Sequence, residues 1–361
     1  MTTTEAPFDV AALRSFAERL LGAAGLPAAS AESVARVLVE ADLLGHSTHG
    51  LALLADYVEE LAEGRMEKSG EPQSLSDTGV VAAWDARRLP GIWTTELAIA
   101  DAAERARRFG IGAIALRRSH HIACLAAFLE RPAREGLAVL IFSSDPAESR
   151  VVPAGGASPV LMPDPIAAGL PAEPDPVLID ISTSITTMGL ANRARRQGHR
   201  LPGEWLLSPD GKPTNDPAVI AAGGSLLPVG GLDHGHKGFG LGLLVEMLTQ
   251  GLAGYGRADQ PTDWGAAVLV LALDPAAFGG REAFLQQSNF IAAACRAATP
   301  LVAGVPVRLP GAAGLARKRA ALAEGLRLSG DIIAALSDLS ARMGVAMPAR
   351  LGQDRAELGS C

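Results

Sequence analysis

Residues 9–63 repeat one pattern three times: apolar residues at helical spacing, then a glycine that stops them. Leu13, Phe16, Ala17, Leu20 and Leu21 share a face over 9–24, closed by Gly25 and Pro27. Val34, Val37, Leu38, Ala41 and Leu44 line a second stripe, with Ser30 placed to cap it and Gly45 at its end. Leu54, Tyr57, Val58 and Leu61 line a third, from 51 to 63, ended by Gly64. The chain therefore opens as a helical unit. The polar stretch 67–72 reads as a crossing to another domain.

From about residue 79 the pattern changes. Strands are predicted at 80–85, 111–116, 137–142, 177–184 and 266–273, with a helix at 94–108 capped by Thr94 or Thr95. The Gly-rich run 230–242 reads as a turn opening a helix at 243–252. Helices are predicted at 281–298 and 331–343, with a basic helical stretch at 317–319. The basic run 191–200 is either a solvated loop or a contact for cofactor phosphate.

The chain has 361 residues, 48% of them hydrophobic and 20% charged, enough apolar material for a real core. A formal net charge of -7 argues against nucleic-acid binding, which needs a basic face. Cys124, Cys295 and Cys361 form no CxxC pair, so no metal knuckle is expected, and an odd count fits a reducing compartment. The opening residues lack a secretory pattern, and charge or glycine interrupts every apolar run before it could span a membrane. The expectation is a cytoplasmic protein with a small-molecule substrate.

Between the second and third helices lies Gly45-His46-Ser47-Thr48-His49-Gly50. Two imidazoles at a helix end can put a titratable group at the rim of a cleft. The same residues could also be a plain helix terminus, where the dipole favours a protonated histidine.

Several separated stretches decide between these readings. Gly45–Gly50 resembles the G-H-[DE]-[ST]-H-G of the type-2 malate/L-lactate dehydrogenases, and Ser119-His120-His121 resembles their N-S-x-H. Asp180-Ile181-Ser182-Thr183-Ser184 is similar to D-x-[SA]-T-S, and the run from Gly211 to Pro217 is similar to G-x-P-T-x-D-P. Leu227–Gly231 and His236–Leu241 resemble L-P-x-G-G and x-K-G-[YF]-G-L. The matches stand in family order across roughly 45–311.

The resemblance implies an α+β fold. A helical domain would come from both chain ends (1–75 with 281–361), and a central cofactor-binding domain with a mainly antiparallel sheet from 76–280. It also implies a non-Rossmann nicotinamide-binding fold, NAD or NADP as cofactor, and a homodimer. His49 would be the acid/base, helped by His121, with Asp180 orienting the imidazole. Thr48, Leu53, Tyr57 and Arg118 would face substrate. Ser182, Thr183, Ser184, His236, Lys237, Gly238 and Arg308 would hold cofactor.

The departures from the family pattern matter as much. Leu53 stands where relatives carry an Arg that grips a substrate carboxylate, and helical spacing would put it on one face with His49 and Tyr57. Either Arg118, which replaces the Asn of N-S-x-H, supplies that charge, or the substrate has an uncharged, bulkier group there. The family's G-T-N-P reads Met162-Pro163-Asp164-Pro165, its G-K reads Gly189-Leu190, and its P-G-E turn ends in Ala312. These changes leave a second reading open, in which redox chemistry is lost and the protein is a non-redox enzyme or a binding protein.

Overall fold

In the computed structural model, which describes residues 6–352, Asp9 caps the first helix by accepting the Ala12 N–H at 2.8 Å. Cys361 and the last residues of the 281–361 stretch lie outside the described residues. The chain begins α1 (Val10–Ala23), α2 (Ala28–Leu44) and α3 (Leu54–Ala62), followed by β1 (Gln73–Asp77) and β2 (Val81–Asp85). Next come α4 (Gly91–Phe109), β3 (Ile111–Ser119), α5 (Glu130–Arg134), β4 (Ala138–Ser144), β5 (Ile166–Leu170) and β6 (Val177–Ile181). A smaller unit holds α6 (Met188–Arg196), β7 (Leu206–Leu207), β8 (Pro213–Thr214) and β9 (Ser225–Leu226). The rest is α7 (Gly231–Glu246), β10 (Ala266–Leu273), α8 (Arg281–Ala297), α9 (Ala312–Glu324) and α10 (Gly330–Met343).

The main sheet has seven strands in the order β1-β2-β3-β10-β4-β5-β6. Every pairing is antiparallel except β2 with β3. The fold is thus mixed α and β around a mainly antiparallel sheet. β10 is apolar throughout because neighbouring strands hold it on both edges and both of its faces are covered. A three-stranded sheet, β8-β7-β9, stands apart over its own core of Val151, Leu161, Leu206 and Leu226.

The two ends of the described chain meet. α9 lies on α2, where Arg317 donates to the Leu44 carbonyl at 3.3 Å and Lys318 pairs with Glu40 at 2.6 Å. Phe8 exchanges backbone bonds with Leu326 at 2.9 Å. α10 packs on α1 and α3, and one continuous core runs from these helices through α4 onto the sheet. Leu13, Phe16, Leu20 and Leu21 of α1 are fully buried, each contributing about 2 kcal/mol of apolar burial. α8 differs: among its residues only Ala292 is buried, while Phe290 and Ile291, with Leu301 and Val302 beyond, are exposed.

Several sequence expectations are corrected. α2 starts two residues before Ser30, whose hydroxyl donates to the Pro27 carbonyl, and α4 starts at Gly91, ahead of both threonines. The Gly-rich run is itself most of α7, with one kink at His234. The basic run 191–200 is mostly helix, in α6. β1 and the small sheet were not foreseen: β1 is an exposed edge strand with no apolar alternation to betray it.

Candidate active site

α2 ends at Gly45 in the left-handed conformation (φ 91), and the chain then makes two tight turns, Ser47–His49 and Leu51–Leu53. Asp42, buried near the end of α2, accepts the Leu51 N–H at 2.7 Å. Gly50 is required between the turns, since a Cβ there would stand 2.3 Å from Asp42 Oδ2. This break corrects the helical spacing assumed for Leu53. The residue packs against the main core and does not line the cavity that His49 faces.

That cavity, about 380 Å³, lies between the His46–His49 turn, the segment after β3, and the segments at 143–145, 162–165 and 180–189. His49 is half-buried, with Nδ1 2.9 Å from the Thr48 hydroxyl. His121 stands across from it, ring centroids 6.1 Å apart, with Nδ1 2.9 Å from the Tyr57 hydroxyl. Trp264 stacks on the His121 ring at 4.4 Å. Tyr57 is buried beneath the site and does not line the cavity, so its role is to hold His121. Neither Nε2 has a protein partner among the described residues.

Burial lowers the pKa of both imidazoles. For His49 the Asp180 carboxylate opposes that effect; for His121 the neighbouring histidines reinforce it, and it falls well below the ordinary value. Both rings are therefore neutral at pH 7. Each has a hydroxyl on its other nitrogen that can donate or accept, so each Nε2 can accept or donate a proton. His120 is fully buried, bonded to Glu60 at 3.1 Å, and pushed down to about 4 by burial. It braces β3 against α3 and takes no part in the cavity.

Asp180 lines the cavity, but the bond to His49 expected of it is not made. It accepts the Ala126 N–H at 2.8 Å and the Cys124 thiol at 3.7 Å, and Thr48 orients His49 instead. Burial raises the pKa of Cys124, so it sits there as a neutral donor. His46 completes a group of three donor atoms within 4.8 Å of one another. Arg118 does not reach the cavity, because with Arg117 it is held by the buried Asp85.

Of the residues expected to hold cofactor, Ser182 lines the cavity. Thr183 and Ser184 are buried, their hydroxyls spent on the Pro163 and Thr186 carbonyls at 2.9 and 2.6 Å. Gly238 lets α7 lie against Val229 and Thr183; a Cβ there would meet the Thr183 carbonyl at 2.8 Å. His236 and Lys237 are exposed on that helix. Arg308 is exposed too, but its loop docks at the far end of β6, where Pro310 accepts the Leu178 N–H at 3.3 Å. Four residues of strand, roughly 13 Å, separate that point from Ser182.

Sequence reasoning missed Trp264 and the wall Ser143-Ser144-Asp145. The second had a readable signal: a polar triplet directly after the apolar strand of 137–142. It also missed how Asp164 would sit. That carboxyl is fully buried at a positive φ of 38°, beside the Glu246 carboxylate. Burial, aided by the nearby Glu246 carboxylate, lifts it to about 9.

Residues 8–337 match the malate/L-lactate dehydrogenase family. The chain belongs to that family. It is 34% identical over 267 residues to a (2R)-3-sulfolactate dehydrogenase (NADP(+)) of Chromohalobacter salexigens, covering 72% of this chain and 78% of the relative. It is 34% identical over 268 residues to a Delta(1)-pyrroline-2-carboxylate reductase of Ancylobacter novellus, covering 72% and 76%. The crystal structure of malate dehydrogenase from Entamoeba histolytica superposes with a TM-score of 0.90 over 95% of this chain and 99% of that one; at 22% identity this speaks for the fold alone. The chain is an enzyme of the dehydrogenase and reductase class. Among the described residues no helix is long and apolar enough to cross a membrane.

Proposed function

We propose that this cavity transfers a hydride between NAD or NADP and a small hydroxy acid, oxo acid or cyclic imine, with His49 moving the proton. The observation that carries the reading is the pair of imidazoles 6.1 Å apart, each oriented by a hydroxyl, on a cavity that also includes Ser182. The volume suits a ring plus a small substrate. A nicotinamide carboxamide offers both a donor and an acceptor. The buried Asp164 carboxyl lines the cavity and is a group that such a ligand would meet.

When bound, the cofactor gives or takes the hydride. Ser182 and the adjoining backbone would hold its reactive end, and Lys237 with the exposed start of α7 its phosphates, without a Rossmann fingerprint. Neutral His49 accepts the proton of a substrate hydroxyl during oxidation. His121, held by Tyr57 and Trp264, directs its free nitrogen at the substrate oxygen or nitrogen. A homodimer belongs to the same reading, with the exposed apolar residues of α8 and the following loop as its surface.

Separate titrations with NADH and NADPH, followed by cofactor fluorescence, test the reading: at least one binds, and Lys237→Ala weakens it. The altered wall at 162–165 and the exposed Leu190 favour the alternative, a relative without redox chemistry. Failure of both cofactors to bind at millimolar concentration selects it.

A further inference from the structure

The cavity has a one-sided charge. Among the described residues no lysine or arginine lines it, whereas the carboxyls of Asp145, Asp164 and Asp180 do. Three guanidinium groups lie outside the lining. Arg118 is held by Asp85. Arg193, on α6 and outside the lining, donates to the Ser47 hydroxyl at 3.2 Å. Arg257, also outside the lining, pairs with Glu246 at 2.7 Å and donates to the carbonyls of Asp145 and Glu148. A carboxylate entering a partly buried site needs a cation or several donors to replace its water, and this cavity supplies no cation.

We propose that the substrate is a cyclic imine bound as its iminium, with no carboxylate on the ring, and that Asp145 is the counter-ion of its cationic nitrogen. This rests on the oxidoreductase reading above and narrows its substrate class. Asp145 is half-buried; Oδ1 accepts the Ala147 N–H at 2.9 Å, and among the described residues no side chain bonds the carboxylate. Burial lifts its pKa to about 6, Glu148 adds to the rise and Arg257 opposes it, so the group is mostly ionised at pH 7. Trp264 lines the same cavity, and an aromatic face attracts a cation. Asp164, kept protonated by its burial, adds no competing charge.

The chemistry agrees with the neutral imidazoles. Reducing a ketone requires an acid to protonate the developing alkoxide. An iminium already carries its proton. The hydride forms a C–H bond at the ring carbon, the π pair of C=N becomes the nitrogen lone pair, and the reduced nicotinamide is oxidised. The amine so formed then takes a second proton, passed to it through His49 Nε2.

The test uses the full chain. Calorimetry without cofactor compares pyrrolidine, a cation at pH 7, with pyruvate; steady-state reduction with the cofactor that binds compares pyrroline, pyrroline-2-carboxylate and pyruvate. Pyrrolidine should bind and pyruvate should not, and pyrroline should exceed both carboxylates in kcat/KM by at least about tenfold. Asp145→Asn should weaken pyrrolidine binding and raise KM for pyrroline by at least about tenfold with cofactor affinity unchanged, and Asp145→Glu should recover part of the loss. Preference for either carboxylate, or an Asp145→Asn protein that binds pyrrolidine normally, overturns the proposal. Cofactor binding with a carboxylate as the better substrate sinks this inference alone. Asp145-dependent pyrrolidine binding with no cofactor binding sinks the redox reading and leaves the cation site standing.

Discussion

Replacing Asp164 by Asn changes almost no volume and removes one ionisable group from a place with no solvent exposure. An unfolded aspartate releases its proton near pH 3.8, whereas the folded one holds it to about pH 9. Its neighbour Glu246 is paired with Arg257 at 2.7 Å. Folding at pH 7 therefore captures a proton from the solvent. The folded state binds more protons than the unfolded chain between those limits, so stability falls as pH rises through the window. From 3.8 to 7 is about 3 pH units at 1.36 kcal/mol each, a cost of roughly 4 kcal/mol at neutrality. Asn carries no such cost and also tolerates a positive φ. Urea unfolding of both proteins at pH 7 and pH 4 measures it: Asp164→Asn should be more stable by roughly 2–4 kcal/mol at pH 7 and about equal at pH 4. Equal stability at pH 7, or the same difference at both pH values, would show that Asp164 is ionised in the fold and refute the reasoning.

His49→Ala should lower kcat by about 10²–10⁴ while leaving cofactor affinity close to that of the parent protein. Because burial lowers the pKa of His49, the kcat of the oxidising direction should stay level as pH falls from 7 through the ordinary histidine range and drop only below it, as a pH–rate profile will read. Tyr57→Phe deletes the hydroxyl 2.9 Å from His121 Nδ1; thermal or urea unfolding should show a loss of about 1–2 kcal/mol, and kcat should fall with the freed ring.

Much of this architecture could be read from residues. The amphipathic stripes of α1–α3 are the buried faces of those helices, and Gly45 adopts the left-handed cap that its place after Leu44 requires. The motif order led to the family, and His49, His121, Asp180 and Ser182 meet at one cavity. What failed was local spacing. Gly50 breaks the helix because Asp42, eight residues earlier, leaves no room for a side chain, so Leu53 turns into the core. Arg118 was lost to the cavity because Asp85, from the strand paired in parallel with β3, takes its guanidinium. The Gly-rich start of α7 looked like a loop, but Gly238 serves contact: it lets a helix approach Val229 and Thr183. Each of these outcomes depends on a partner outside the element itself, which periodicity does not see.

The sheet order has a consequence in time. β3 and β4, ending at Ser119 and Ser144, are not neighbours, because β10, from Ala266–Leu273, lies between them. As the chain leaves the ribosome, both strands exist long before the one that joins them, and two apolar edges stand open until residue 273 has emerged. α2 likewise waits for α9 to cover its outer side. Closure of this molecule is therefore a late event of high contact order, slow compared with a helical bundle of similar size. A ribosome-bound chain truncated before β10 should be held by chaperones or lost to aggregation, and the histidines can share a finished cavity only once the segment 264–266 has been made.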